Sequence, residues 1–259
     1  MFQYKRLGIF TLIAAASLLF GCAATDTYRV NPRFHQQSEP IRTIAIMPAE
    51  VKVYRIDAGG TREEIDEWSA QAKNNILSAV QNQMATRMGT KMDLVTEELL
   101  DENTPLWEET HALYAAVSTM ILIHTYRNPN SPSHLFEEKL KNFDYSLGSE
   151  VHPLAKGASA LLFVDAEDHI WTGGRKALQG LGVILGIGAA VATGAVIIPQ
   201  LGGGISVKAA LVDSASGDIL WINAVGAGTG DLRNAGNATD MVNNLFKDFP
   251  LGNGSQEKK

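Results

Sequence analysis

The chain has 259 residues, a formal net charge of −6, 45% hydrophobic residues and one cysteine. That apolar content suffices for one packed domain. The acidic balance, with no block of Lys and Arg, excludes a nucleic-acid binder that works by neutralising phosphates. A single cysteine excludes an internal disulfide framework.

The first residues, Met1-Phe2-Gln3-Tyr4-Lys5-Arg6, are basic, and an apolar run follows over 7–20. Basic start, apolar core and a small residue at Gly21 make a secretory signal. The run is too short to cross about 30 Å of hydrocarbon as a helix, which takes about 20 residues. It ends Leu19-Phe20-Gly21-Cys22. Lipoprotein processing asks for Leu three positions before the cut, a small residue just before it and Cys just after it. Only Phe20 is bulkier than usual. Residues 1–21 are therefore expected to be removed and Cys22 acylated, each buried CH₂ contributing roughly 0.8 kcal/mol to the anchor. Ala23, rather than Asp, follows Cys22. That favours an outer-membrane anchor with the domain facing the periplasm.

Residues 22–40 read as the lipidated cysteine and a polar tether. A single domain is expected over 41–250, with a polar tail at 251–259. Residues 41–48 are β-branched and end at Pro48, which predicts a strand. A helix is expected over 62–88. Its apolar positions Ile65, Trp68, Ala72, Ile76, Val80, Met84 and Met88 recur at helical spacing, and acids crowd its first turns. A short strand at 92–95 follows. Thr104-Pro105 opens a second helix, with Leu106, Leu113, Val117, Met120, Ile121 and His124 along one side. Pro129 and Pro132 break the chain, and Ser133 can cap a shorter helix reaching about residue 143.

The second half reads as sheet. Residues 160–171 begin as a buried strand and turn polar; 205–213 and 218–225 are two more strands. Ser214-Ala215-Ser216-Gly217 between them has hairpin-turn composition. A last helix over 235–249 would bury Ala238, Met241, Val242, Leu245 and Phe246 and stop at Pro250.

Between the first two of those strands lies an apolar Gly/Ala-rich insertion, 177–204, and no charged residue occurs over 177–207. Residues 178–198 are long enough to span a bilayer. Gly182, Gly186, Ala190 and Gly194 fall four apart, a small-residue stripe that lets helices approach closely. Three readings stand: insertion in a membrane, an apolar hairpin lying on lipid, or an insertion packed on its own core or on a sister subunit. A lone solvated helix is disfavoured, because each glycine costs about 1 kcal/mol relative to Ala.

Catalytic motifs are missing. There is no phosphate-binding loop, no complete dinucleotide fingerprint, no Gly-x-Ser-x-Gly and no His-Glu-x-x-His. Asp165, Glu167 and His169 alternate onto one face of a strand, where a metal could use them; the alternative is a strand running from the core into solvent. His124 reads as a core or edge histidine, and Trp107, Trp171 and Trp221 as packing residues. No enzyme activity, cofactor, resident metal or small-molecule substrate is assigned.

Three segments resemble a known family: Ile44-Ala45-Ile46-Met47-Pro48, then Gly157-Ala158-Ser159-Ala160-Leu161-Leu162-Phe163-Val164, and Leu211-Val212-Asp213-Ser214-Ala215-Ser216-Gly217-Asp218-Ile219-Leu220-Trp221. Similar segments recur in outer-membrane lipoproteins with a TolB-amino-terminal-like fold. These include the curli secretion lipoprotein, the penicillin-binding-protein activator lipoprotein and surface-antigen relatives. Ser159 departs from the family's usual Asp. The resemblance implies an α/β fold, a small twisted mixed sheet with packed helices, and non-enzymatic work through self-association or an envelope partner. It leaves three roles open: an assembly or export accessory, a periplasmic activator of a cell-wall synthase, and an oligomeric export pore.

Overall fold

The computed structural model describes residues 28–36, 41–57, 59–88, 91–95, 103–125, 137–171 and 204–250. Eight strands, β1 (Arg29–Val30), β2 (Thr43–Ile46), β3 (Glu50–Ile56), β4 (Arg62–Glu64), β5 (Lys91–Leu94), β6 (Ala160–Trp171), β7 (Gly204–Asp213) and β8 (Ile219–Ala227), form one mixed sheet. Its order is β1-β8-β7-β6-β2-β5, with β3 also on β6 and β4 on β3. The pairings β2–β5, β2–β6 and β3–β6 are parallel and the others antiparallel. Helices α1 (Asp66–Met88), α2 (Thr104–Thr125), α3 (Glu137–Asn142) and α4 (Ala235–Leu245) accompany it. The architecture is the expected α/β one.

Alternation along the strands sends two sets of side chains to opposite faces. Ile44, Ile46, Ala160, Leu162, Val164, Val207, Ala209 and Leu211 meet α1 and α4 on one face. There α1 buries Ala72, Ile76, Val80 and Met84, and α4 buries Ala238, Met241, Val242 and Leu245. The Asn234 side chain caps α4 by accepting from the amides of Gly236 and Asn237 at 2.8 and 3.2 Å. On the other face Ala45, Met47, Leu161, Phe163, Ala210 and Val212 meet Tyr114 and Ile121 of α2. Val151 and Leu154 of a 3₁₀ turn, Ser149–Ala155, complete that core. Strands covered on both sides read as unbroken apolar runs, as 44–47 and 160–164 do.

Several elements depart from the sequence expectation. The helix expected from 62 starts at Asp66, because 62–64 pair with β3 and the Ile65 amide donates to the Val53 carbonyl at 3.0 Å. The last helix ends at Leu245 rather than 249. Residues 28–36, within the stretch read as tether, form β1 and a 3₁₀ turn, with Arg29 opposite Ile222 and Val30 opposite Trp221. On α2 the buried stripe is Thr110, Tyr114, Ser118, Ile121 and His124, whereas Leu113 and Met120 are 40% and 44% exposed. Those two sit one residue off the stripe, about 100° around the helix. At the β7–β8 turn Gly217 has φ 74°, and a Cβ there would lie 2.0 Å from the Gly148 carbonyl oxygen. Only glycine fits that approach. Among the described residues no helix is long and apolar enough to cross a membrane.

Asp168 of β6 is 1% exposed on the α1–α4 face. Its Oδ2 accepts from the Leu232 amide at 2.8 Å, and its Oδ1 has no partner. Burial pushes this carboxyl up to about 6, against the pull of the Leu232 amide. The native state therefore keeps a proton that the unfolded chain releases near pH ~4. Stability contributed by the protonated form is full below that value. It declines between about pH 4 and 6, by up to about 3 kcal/mol, and stays low above. Asp168→Asn keeps an acceptor for Leu232 without the charge. Urea unfolding at pH 4.5 and 7.5 should show the variant more stable at the higher pH, by about 1–3 kcal/mol, with a flatter profile. An equal or weaker variant at pH 7.5 would refute this account of the buried carboxyl.

Candidate functional site

Beyond Phe163 the α2-facing side of the sheet changes from apolar to polar. Asp165 of β6 lies opposite Glu50 of β3 on one side and Lys208 of β7 on the other. Strand register thus makes a row: carboxylate, carboxylate, ammonium. Helix α2 sets His111 over it. The His111 Nε2 lies 3.2 Å from Glu50 Oε2 and 3.8 Å from Asp165 Oδ1. Lys208 Nζ lies 3.2 Å from Asp165 Oδ2 and donates to Ser118 Oγ at 2.8 Å. Ser118 in turn donates to the Ala115 carbonyl at 3.2 Å, so its hydroxyl is turned back on its own helix.

Aromatic rings wall the cluster on the core side. Tyr114 stacks on Phe163 at 4.6 Å and lies under the Lys208 ammonium, 4.9 Å from ring centre to Nζ. Trp107 stands 5.2 Å from the His111 ring. The four charged or titratable members are half-buried, so their mutual attraction is less screened than at an open surface. The Asp165 carboxylate, with Glu50 behind it, raises the His111 imidazole above its usual value despite the opposing effect of burial. Tyr114 is wholly buried, and burial, helped by the charge of Asp165, holds its hydroxyl well above the ordinary phenol value. Chemically the group can clamp α2 to the sheet, take up a proton, or hold a cation.

Asp165, Glu167 and His169 do share a face of β6, but the structure does not bring them to one point. Asp165 joins the cluster above. Glu167 Oε2 lies 3.9 Å from Arg62 and 3.8 Å from His169 Nε2. His169 is 6% exposed rather than in solvent, and stacks at 5.3 Å on Tyr54, the ring over which the Arg62 guanidinium lies. His124 is buried with Nδ1 2.7 Å from the Tyr145 hydroxyl. Trp221 is buried against Phe246 and Phe249. Cys22, Gly182, Gly186, Ala190 and Gly194 lie outside the described residues.

Sequence reasoning missed Glu50, His111 and Lys208. One signal for His111 was legible: Trp107, His111, Tyr114, Ser118 and Ile121 follow one another at spacings of four and three. A histidine and a serine inside an otherwise apolar stripe call for polar partners on the surface they face. Nothing local marks Glu50 or Lys208, whose place depends on pairing between distant strands.

No protein-family model matches the chain, and no curated protein matches it. Among solved structures the chain is similar to the PelC dodecamer from Paraburkholderia phytofirmans, at 10% identity and a TM-score of 0.35 over 81% of this chain and 88% of that one. It is similar to lipoprotein GNA1162 from Neisseria meningitidis at 12% identity and a TM-score of 0.33, over 80% and 96%. It is also similar to the LpoB C-terminal domain from Salmonella enterica at 11% identity and a TM-score of 0.27, over 74% and 87%.

Removing Lys208 leaves Asp165 beside Glu50 with only His111 to offset its charge, since Lys52 pairs with Glu50. Lys208→Met is expected to lower the unfolding free energy at pH 7.5 by about 2–3 kcal/mol, and adding Asp165→Asn to restore part of that loss. Urea unfolding of the two single variants and the double variant measures the coupling. Simple additivity of the single effects would show that the ammonium and carboxylate do not act as a pair.

Proposed function

We propose that this chain is a bacterial lipoprotein, acylated at Cys22, that works as a non-enzymatic accessory in envelope assembly or export through contacts with its own copies or another envelope protein. The Leu19-Phe20-Gly21-Cys22 sequence at the end of a basic-then-apolar leader carries the reading. Ala23 supports the outer membrane as the place of anchoring. From Cys22 to Tyr28, where the described domain begins, the chain reaches at most about 21 Å. A domain so tethered stays against the bilayer surface.

The outer face of α2 supports work by contact. Ala112, Leu113, Ala116, Thr119 and Met120 are exposed or half-exposed on it, and residues 110–125 include no Asp, Glu, Lys or Arg. An uncharged helix face with two large apolar side chains suits helix-to-protein packing.

Anchoring is tested by labelling cells with an azide-bearing palmitate analogue. Label is expected on the wild-type chain and absent from Cys22→Ser, which should also keep its leader. A labelled Cys22→Ser chain would remove the lipoprotein reading. Contact through α2 is tested separately, by light scattering of the detergent-solubilised chain. Self-association, if this face carries it, should be lost in the Leu113→Glu/Met120→Glu variant. A wild-type monomer would assign the face to a different partner, and an oligomer untouched by the two glutamates would place the interface elsewhere.

A further inference from the structure

Glu50, His111 and Asp165 each offer one ligand atom, and the three atoms lie within 4.8 Å of one another. They come from β3, α2 and β6, so the grouping is tertiary. Zinc bound by imidazole and carboxylate at about 2.0–2.2 Å in a tetrahedron sets neighbouring ligand atoms about 3.3–3.5 Å apart. The observed 3.2 Å from His111 Nε2 to Glu50 Oε2 and 3.8 Å to Asp165 Oδ1 straddle that spacing.

The rest of the cluster is arranged around these atoms. Lys208 approaches Asp165 through Oδ2, whereas Oδ1 is the oxygen nearer His111. Lys208 is itself held by Ser118. It therefore orients the carboxylate from behind, as outer partners of metal ligands do. The His111 Nε2 is buried and, near as Glu50 is, has no hydrogen bond of acceptable geometry. Tyr114, wholly buried, has a hydroxyl without a partner and feels the Asp165 charge. Lys52 likewise pairs with Glu50 through Oε1, so each ammonium holds the carboxylate oxygen turned away from His111 and leaves Glu50 Oε2 and Asp165 Oδ1 beside the imidazole, whose proton a bound cation would displace. Those three donor atoms suit a divalent cation.

We propose that Glu50, His111 and Asp165 form a divalent transition-metal site that takes zinc, with Lys208 as the positioning residue for Asp165. One imidazole and two carboxylates suit zinc better than magnesium or calcium, which prefer oxygen alone. Three protein ligands leave a fourth position for water or for a donor from a partner. A bound ion would pin α2 to β3 and β6. The inference is independent of where the chain is anchored.

The test uses the full chain carrying Cys22→Ser, stripped of metal in detergent, so that no thiol competes. Zinc chloride titrated calorimetrically at pH 7.5 is expected to bind at one equivalent and to raise the melting temperature by several degrees. His111→Ala should abolish that event, and Glu50→Gln, a half-exposed change that spares the fold, should weaken it by about tenfold or more. Circular dichroism confirms that each variant is folded. Absence of zinc binding by the Cys22→Ser chain overturns the proposal. So does binding that survives both substitutions, because it then belongs to others of the six histidines.

Discussion

β6 runs for 12 residues and is paired with β7 along almost its full length on one edge, while its other edge changes partner midway. Residues 160–162 pair with β2, and 165–171 pair with β3. The change is enforced by Pro48. Its ring nitrogen has no hydrogen to donate, so a ladder that reaches Ile46, and is extended by the Met47 amide to the Leu162 carbonyl at 2.9 Å, stops there. The chain resumes pairing at Glu50, opposite Asp165. Moving that interruption by one residue would turn every β3 side chain to the other face. Glu50 would then point toward α1, and the row with Asp165 and Lys208 would not exist.

The same strand crosses from core to surface along its length. Its first half is apolar on both faces, under α1 and α4 on one side and α2 on the other. Its second half keeps apolar neighbours such as Val207 and Val53 on the α1–α4 face but turns polar toward α2. The Tyr114–Phe163 stack marks the border. Past it, each charge faces an opposite charge or an aromatic ring: Lys208 faces Asp165 and Tyr114, Arg62 faces Glu167 and Tyr54. Unpaired charges half out of water would be costly, and these neighbours offset that cost. Asp168 is the exception. It points to the apolar side with one amide for a partner, and its raised pKa records the shortfall.

Much of this was legible in the sequence, and what was not has a physical reason. The periodicities of α1 and α4, the Thr104-Pro105 start of α2, the β7–β8 hairpin and the buried start of β6 are local patterns, and the structure has each of them. β3 was missed because its seven residues, Glu-Val-Lys-Val-Tyr-Arg-Ile, follow a proline and present only two fully apolar inward positions before Ile56. The inner stripe of α2 was placed one residue off because both sides of that helix carry apolar residues. With Leu113 and Met120 outside and Tyr114 and Ile121 inside, hydropathy alone does not choose. The alternation that put Asp165, Glu167 and His169 on one face was sound. Alternation says nothing of what stands opposite, and that decided their fates: α2 and β7 around Asp165, Arg62 and Tyr54 around the other two.

Helix α2 therefore joins two kinds of surface. Its inner side is held partly by aromatic packing, insensitive to conditions, and partly by the contact of His111 with two carboxylates, which depends on protonation state and on any bound cation. Its outer side presents Leu113 and Met120 within a stretch, 110–125, that includes no Asp, Glu, Lys or Arg. A species that tightens His111 onto Glu50 and Asp165 lowers the free energy of the placed helix, and a protein that binds only the placed helix gains by the same amount. Linkage makes the relation reciprocal: a partner on the outer face strengthens proton or cation binding on the inner one by an equal factor. The size of that coupling is bounded by how much of α2's attachment the clamp supplies. Tyr114 and Ile121 are held in the apolar core on that face, a contribution separate from the clamp, so the clamp tunes the helix's position and stability rather than deciding whether it folds.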